Sequence, residues 1–163
     1  MFTSTGTIRY SPKKEEGHRN WWVILDCDPA LGKYYRHLYH RGHHGCRKLA
    51  QPFWGPHITI LRNEEPDDAF KHLWGKYTGE SVEFQYSSGL QNNYSPQRYK
   101  SFWWLDVVCP RFEEIRAELG LEPVNEAWNN GTYHLTIGTW ENPGRKAWFM
   151  SEFRGIDIED DVV

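Results

Sequence analysis

Two short stretches of this chain repeat one pattern: histidine, apolar residue, threonine, apolar residue. They are His57–Ile60, which reads HITI, and His134–Ile137, which reads HLTI. Alternating apolar residues with β-branched members are typical of strands. Because side chains two apart on a strand share a face, each stretch places a histidine beside a threonine and turns its apolar side chains the other way. The repeat therefore predicts two half-buried strands, each presenting an imidazole beside a hydroxyl.

This combination of side chains suits the cleavage of a phosphodiester. Two imidazoles on opposite sides of a phosphate act as general base and general acid when one is neutral and the other is protonated near neutral pH. The threonine hydroxyls hydrogen-bond the non-bridging phosphate oxygens, and no metal is required. The predicted catalytic residues are His57, Thr59, His134 and Thr136. The structural alternative is that each histidine only satisfies a hydrogen bond on a half-buried strand.

The two tetrads resemble the paired motifs of the two-histidine (2H) phosphoesterase superfamily. Their spacing and the chain length fit that family over nearly the whole chain. Its members are α+β proteins in which two related halves each bring one motif strand to a central cleft. The resemblance implies one bilobal domain over residues 1–163, with two β-sheets, outer helices and a central cleft. It also implies cleavage of RNA-type phosphodiesters, including cyclic phosphates, without a metal or another cofactor.

Within that superfamily the chain is most similar to the small phage anti-CBASS nucleases, which destroy the cyclic dinucleotide or trinucleotide signals of bacterial defence. The similarity rests on the compact size, on the aromatic-rich flanks Phe53–Pro56 and Gly138–Glu141, and on Trp74 between the motifs. It implies a cyclic oligonucleotide such as cGAMP as the substrate. For a phage-encoded protein it implies the host bacterial cytoplasm as the location.

The charge of the chain argues against long nucleic acids as partners. It has 19 Lys and Arg against 22 Asp and Glu, which gives a formal net charge of −3. Proteins that bind long nucleic acids usually carry a basic patch that neutralises several phosphates. A small anionic ligand in a local pocket is compatible with this charge.

Aromatic residues are unusually frequent, with nine Trp, nine Tyr and eight Phe. Many must form the core, but aromatic faces also stack on nucleobases. The candidate substrate-binding residues are Tyr10, Trp54, Trp74, Tyr133, Trp140 and Glu141. The sequence does not rank them, and a place in the core is the open alternative for Trp74.

Several features favour a cytoplasmic protein without membrane contact. The chain has no apolar run long enough to span a bilayer, and residues 1–20 are polar, unlike a secretory leader. Cys27, Cys46 and Cys109 are odd in number and lack close-paired spacing, which is typical of reduced thiols rather than of disulfides or a zinc site. We do not expect a cysteine nucleophile.

A histidine-rich segment, residues 37–44, raises a metal-binding hypothesis. Its first two histidines lie one helical turn apart, but glycines end the predicted helix before the other two, and no carboxylate pattern completes a site. We expect instead a solvated or ligand-facing basic loop, with Arg41, Arg47 and Lys48 near an anionic substrate. No metal site is predicted.

Periodicity and turn residues predict a mixed order of strands and helices. The predicted strands are residues 6–10, 21–26, 56–62, 81–86, 101–108 and 132–140, with a further edge strand over 154–158. Helices are predicted from Pro29 to Gly42, over 63–74 and over 112–119, and a loop over 87–100. Both tetrads follow an aromatic-rich strand and a helix led by proline, which indicates an internal duplication.

Two other functions would use the same features. A 2H phosphodiesterase that acts on linear RNA ends with 2′,3′-cyclic phosphates needs the same catalytic residues, although the mild acidity argues against long RNA. A non-enzymatic sponge for cyclic nucleotides would use the aromatic pocket without two histidines in opposite protonation states. The sequence does not decide which histidine is the base.

Overall fold

The computed structural model describes residues 1–11, 21–43, 48–123 and 132–144. These residues form six strands, two α-helices and one 3₁₀-helix. The strands are β1 (Phe2–Tyr10), β2 (Trp22–Cys27), β3 (His57–Arg62), β4 (Ser81–Asn92), β5 (Lys100–Val108) and β6 (Tyr133–Glu141). The α-helices are α1 (Pro29–Gly42) and α2 (Pro110–Glu118), and the 3₁₀-helix is Lys71–Leu73.

The six strands close into one antiparallel barrel in the order β1-β2-β3-β6-β5-β4. The protein is thus a mixed α/β domain built on a closed barrel with two helices. The two separate β-sheets expected from the sequence are not confirmed. The two motif strands, β3 and β6, hydrogen-bond to each other and so join the two halves in a single sheet.

The two halves of the barrel share one topology. Each runs strand, strand, helix, strand, as β1-β2-α1-β3 and β4-β5-α2-β6. Exchanging β1 with β4, β2 with β5 and β3 with β6 leaves the order of strands in the barrel unchanged. The barrel therefore has an internal two-fold pseudosymmetry, with an axis that passes between β3 and β6. This agrees with the duplication that the sequence indicates.

A β-bulge recurs at the same place in both halves. Ile60 of β3 is an extra residue opposite β2, and Ile137 of β6 is an extra residue opposite β5. Each bulged residue has its carbonyl oxygen bound by an arginine from the helix of the other half. Arg36 of α1 donates to Ile137 at 2.7 Å, and Arg116 of α2 donates to Ile60 at 3.1 Å. A bulge disrupts the ladder locally, and here the arginines satisfy the carbonyls it displaces.

The barrel interior is the hydrophobic core. Alternation along the strands turns their apolar side chains inward, and the two helices add apolar side chains at the barrel ends. Fully buried interior residues include Val23, Leu25, Ile58, Ile60, Leu105, Leu135 and Ile137, each 0 % exposed. Burying such a side chain contributes about 1.5–3 kcal/mol. The apolar side chains of each motif strand therefore face the core, and its histidine and threonine face outward.

Most predicted elements are confirmed, and two are wrong. The helix at Pro29 is confirmed, and the Asp28 carboxylate accepts from the Ala30 N–H at 2.8 Å as its N-cap. The helix predicted over 63–74 is wrong: only Lys71–Leu73 is helical, because Asn63 turns away with φ +54° and successive turns follow Pro66. The loop predicted over 87–100 is partly wrong, because an irregularity in pairing lets β4 continue to Asn92.

Several expectations concern residues outside the described ranges. The predicted edge strand over 154–158, Cys46 and most of the basic loop after α1 lie there. Within the described ranges, no helix is long and apolar enough to cross a membrane. Cys27 and Cys109 are free and buried, and burial raises the pKa of both thiols.

Candidate active site

The two tetrads lie side by side at the pseudosymmetry axis. In the antiparallel pairing of β3 with β6, His57 stands opposite Thr136 and Ile58 opposite Leu135. One further step in this register places Thr59 opposite His134. The inward pair, Ile58 and Leu135, is fully buried, so the histidines and threonines share the outer face, where they are half-buried.

These four side chains line one groove. It encloses about 330 Å³, and its walls also contain Trp22, Trp54, Arg62, Lys100, Phe102 and Glu141. A groove of this size, partly apolar with a few convergent polar groups, is typical of small-molecule sites. The predicted catalytic residues are thus brought together in one concave site.

His57 is oriented by the turn that precedes β3. Its Nδ1 lies 2.8 Å from the carbonyl oxygen of Gly55, and a carbonyl only accepts, so Nδ1 carries the hydrogen and Nε2 is the proton-exchanging atom of the neutral ring. Gly55 has φ +77°, a backbone conformation that favours glycine. Trp54 packs against the imidazole edge-on, with ring centroids 5.8 Å apart.

Burial lowers the pKa of His57, and the charged groups around it act in both directions. The Gly55 carbonyl and the Asp26 carboxylate raise the pKa, whereas the guanidinium groups of Arg9 and Arg62 lower it further. The net direction is downward, because loss of solvation disfavours the charged ring.

The pKa of His134 is lowered as well. Burial, and then the charge on His57, lower its pKa to about 4. The electrostatic effect of one imidazole on the other means that protonating His57 disfavours protonating His134. Trp104 lies beside the ring, with centroids 5.7 Å apart. The site therefore holds a neutral His134 at neutral pH.

Each end of the groove carries a cation over an aromatic ring. The Arg62 guanidinium lies 4.8 Å from the ring centroid of Trp22, and the Lys100 ammonium lies 5.5 Å from that of Phe102. Trp22 pairs with Arg62 across β2 and β3, and Phe102 pairs with Thr139 at the equivalent place across β5 and β6. Trp22 and Phe102 are therefore pseudosymmetric counterparts on either side of the four tetrad side chains.

The predicted substrate-binding residues fall in different places. Trp54 and Glu141 line the groove. Tyr10 and Trp74 pack together at a barrel end with ring centroids 5.0 Å apart, and Tyr133 is a core residue against Phe112. Trp140 packs on Tyr94, with centroids 5.9 Å apart. Among the described residues, these last four aromatic side chains do not line the groove.

Several groove residues were not predicted from the sequence, among them Trp22, Arg62, Lys100 and Phe102. Simple alternation from Thr59 would turn Leu61 to the groove and Arg62 to the core. The bulge at Ile60 makes Ile60 and Leu61 consecutive buried residues and returns Arg62 to the groove face. The cation that ends the HITILR run, Arg62, was the available signal.

A second cavity, of about 430 Å³, lies between the end of α1 and the β4–β5 hairpin. Its lining includes Tyr35, Tyr39, Tyr94 and Trp103. None of the four tetrad side chains is among its described lining residues. The cavity is thus separate from the groove that the tetrads line.

No group of three or more His, Cys, Asp or Glu side chains within residues 1–11, 21–43, 48–123 and 132–144 is arranged to hold a metal ion. Comparison of the chain with protein-family models, with curated proteins and with solved structures gave no match.

Proposed function

We propose that this protein is a metal-independent phosphodiesterase of the 2H type that cleaves the 3′–5′ bonds of cyclic di- and trinucleotide immune signals. One observation carries the proposal: the β3–β6 register sets two His/Thr pairs against each other across a single groove. The pseudosymmetric halves, each bringing one tetrad to that groove, support the bilobal 2H arrangement for this barrel. A protein with this activity would act as an anti-CBASS factor in a bacterial cytoplasm.

The two histidines have distinct roles in the proposed reaction. His134, whose pKa is lowered to about 4, is the neutral base and takes the proton of a ribose 2′-hydroxyl. The 2′-oxygen forms a bond to the adjacent phosphorus as the bond from phosphorus to the 5′-oxygen breaks. His57, which the Gly55 carbonyl and Asp26 favour in its protonated form, donates a proton to the departing 5′-oxygen. The product is a linear nucleotide with a 2′,3′-cyclic phosphate and a free 5′-hydroxyl.

The threonines stabilise the charge that develops on the phosphate. Thr59 and Thr136 stand beside the histidines on the same face, so their hydroxyls donate to the two non-bridging oxygens. The donors are fixed by paired strands rather than by a loop, so they need little reorganisation during the reaction. Arg62 and Lys100 at the groove ends attract the anionic substrate.

The shape of the groove supports a compact ligand with two nucleobases. Two half-buried rings line the groove: Phe102 lies beside Lys100, and Trp54 packs on the buried Trp22, whose ring lies beneath Arg62. Aromatic rings stack on any base, and a cation nearby pairs with phosphate. A cyclic dinucleotide presents two bases and two phosphates, which these two rings and two cations would contact.

The first experiment is an incubation of the full chain, with EDTA present, with 3′,3′-linked cyclic dinucleotides and trinucleotides. Products are separated by chromatography with mass detection. We expect linear phosphorylated products from the parent protein and none from His57→Ala, with His72→Ala as the matched control because His72 is exposed outside the groove. Loss of cleavage in His72→Ala would contradict the assigned site.

Other outcomes identify the alternatives. Intact cyclic nucleotide that elutes with the protein and is recovered after denaturation would identify a sponge. If cyclic nucleotides neither bind nor react, an oligoribonucleotide with a 2′,3′-cyclic phosphate end is the next substrate, and its cleavage would replace the proposal.

For the proposed mechanism, kcat/KM falls below about pH 4 as His134 becomes protonated. It also falls above a pKa of His57 that lies under the ordinary value of about 6.5.

A further inference from the structure

Each catalytic histidine has an aspartate as its cross-strand neighbour. Asp26 of β2 stands opposite His57, and Asp106 of β5 stands opposite His134. Side chains directly opposite on an antiparallel pair point to the same face, with Cβ atoms about 4.5–5.5 Å apart. Each half thus has an aspartate at the equivalent position beside its histidine.

The two carboxylates have different partners. Asp26 is bound by Arg9 of β1, whose Nε and Nη2 donate to its two oxygens at 2.7 Å each. Asp106 accepts from the indole Nε1 of Trp104, two residues earlier on its own strand, at 3.3 Å. A bidentate guanidinium fixes both oxygens of a carboxylate, whereas a single indole donor fixes one. The halves therefore differ in how firmly the carboxylate beside the histidine is held.

We propose that the Asp26 carboxylate, which Arg9 holds in place, is the positioning group that makes His57, rather than His134, the proton donor of the reaction. Arg9 holds the Asp26 carboxylate beside His57, and the carboxylate stabilises the imidazolium. Asp106 does not do this for His134, because it is turned to Trp104. The assignment rests on the proposed function, but the charge effect on His57 is measurable without any activity.

The charges around His57 come from four strands. Asp26 lies on β2, Arg9 on β1, Arg62 on β3 and His134 on β6. Asp26 alone of these is an anion. Arg9 therefore has two opposite effects, since it fixes the helpful carboxylate and also repels the imidazolium.

This arrangement predicts opposite effects for the two members of the pair. In Asp26→Asn the carboxylate charge is lost, so His57 should titrate about half to one pH unit lower. In Arg9→Gln a repelling charge is lost and Asp26 keeps its own charge, so His57 should titrate higher by about half a unit. The matched control, Asp106→Asn, should leave His57 within about 0.2 unit, because that carboxylate belongs to the other histidine.

The measurement is an NMR titration of the histidine ring signals of the full chain, with His57 assigned from the spectrum of His57→Asn. Both members of the pair are more than a third exposed, with side-chain exposures of 40 % and 36 %, so these variants should fold. A lower titration of His57 in Asp26→Asn, with His57 nearly unchanged in Asp106→Asn, supports the positioning role of the Asp26 carboxylate. No shift or an upward shift in Asp26→Asn, or an equal shift in Asp106→Asn, would overturn it.

Activity separates this proposal from the proposed function. With cyclic nucleotides as substrates, Asp26→Asn should lose about threefold to tenfold in kcat/KM at neutral pH and recover at lower pH, where His57 is protonated again. A loss that is equal at every pH would overturn the positioning role. If the parent protein cleaves nothing while His57 titrates lower in Asp26→Asn, the electrostatic role of the carboxylate stands and the proposed function does not.

Discussion

The two halves of the barrel share a framework and differ in what surrounds it. Both bring a His/Thr tetrad to the axis, place a bulge at the last residue of the tetrad, Ile60 or Ile137, and bind the bulged carbonyl with an arginine from the opposite helix. At the barrel end of the first half, Trp74 packs against Trp21 and Tyr10. In the second half, the hairpin and the end of α1 border a cavity.

The features that the halves share place the proposed catalytic groups, and the features in which the halves differ distinguish one histidine from the other. The shared features, register and bulge, decide that two imidazoles and two hydroxyls face one groove. The differing features act on charge: Arg9 holds the carboxylate beside one histidine, and Trp104 holds the carboxylate beside the other. A duplicated frame thus gives the two histidines equivalent positions, and unequal neighbours give them different electrostatic surroundings.

The largest expected effect is the loss of either histidine. His57→Ala and His134→Ala should each lower kcat by about a hundredfold to ten-thousandfold, because one general acid or base contributes about that much. The thermal midpoint should change little, since both side chains point to the groove rather than the core. The double variant should be little worse than either single variant, because the two groups act in one step. If the loss of kcat in the double variant equalled the product of the two single losses, the two histidines would act independently.

The next comparison concerns the arginines behind the bulges. Arg116 is 1 % exposed and donates to the Glu64 carboxylate at 2.9 and 2.7 Å, whereas Arg36 donates to the Gln51 side chain at 3.4 Å. Breaking a buried ion pair costs about 3–5 kcal/mol, and losing a hydrogen bond to a carbonyl from a charged group costs about 1.5–3 kcal/mol. Urea unfolding should therefore find Arg116→Ala less stable than Arg36→Ala. Equal losses would show that the bulge carbonyl alone accounts for both.

The threonines test the equivalence of the two tetrads most directly. Thr59→Val and Thr136→Val keep the β-branched shape and remove the hydroxyl, so each should lower kcat by about tenfold to a hundredfold, the range for one hydrogen bond to a charged group. Thr→Ser variants at both positions keep the hydroxyl and serve as controls. Similar losses at both positions are expected, because each threonine stands opposite the histidine of the other half. A loss in only one would mean that a single hydroxyl contacts the phosphate.

The sequence was sufficient to place the two His/Thr pairs on one outward face, because strand periodicity determines that face. In both tetrads the apolar residues are fully buried and the His and Thr face outward, as alternation predicts. The sequence was insufficient to predict the architecture, because pairing between strands that are distant in the chain determines it. Closure of the barrel depends on the β3–β6 and β1–β4 pairings, which join segments far apart in the chain.

Local irregularity explains the remaining differences. A bulge changes which residues face the groove after it, so Arg62 could not be placed by alternation. The acidic start at residues 63–68 suits a helix, but Pro66 and the turns around Asp67 break it into short pieces. Only the strand register places Asp26 and Asp106 opposite the two histidines, and that register is a property of the tertiary structure.

The smallest expected effect on activity distinguishes the groove from the barrel end. Trp74→Leu should leave kcat/KM within about twofold, because Trp74 packs on Tyr10 and Trp21 with centroids 5.0 and 4.8 Å away, outside the groove. The substitution should instead lower the free energy of unfolding by about 1–3 kcal/mol, because aromatic contacts are lost. Phe102→Ala is the contrasting variant, since Phe102 lines the groove beside Lys100.

Removal of a stacked ring costs about 1–3 kcal/mol per base, so Phe102→Ala should raise KM about fivefold to 150-fold with little change in stability. Steady-state kinetics on a cyclic dinucleotide and thermal unfolding of both variants give the comparison. If Trp74→Leu raised KM as much as Phe102→Ala does, the ligand would reach the barrel end. The groove between Trp22 and Phe102 would then be only part of the substrate site.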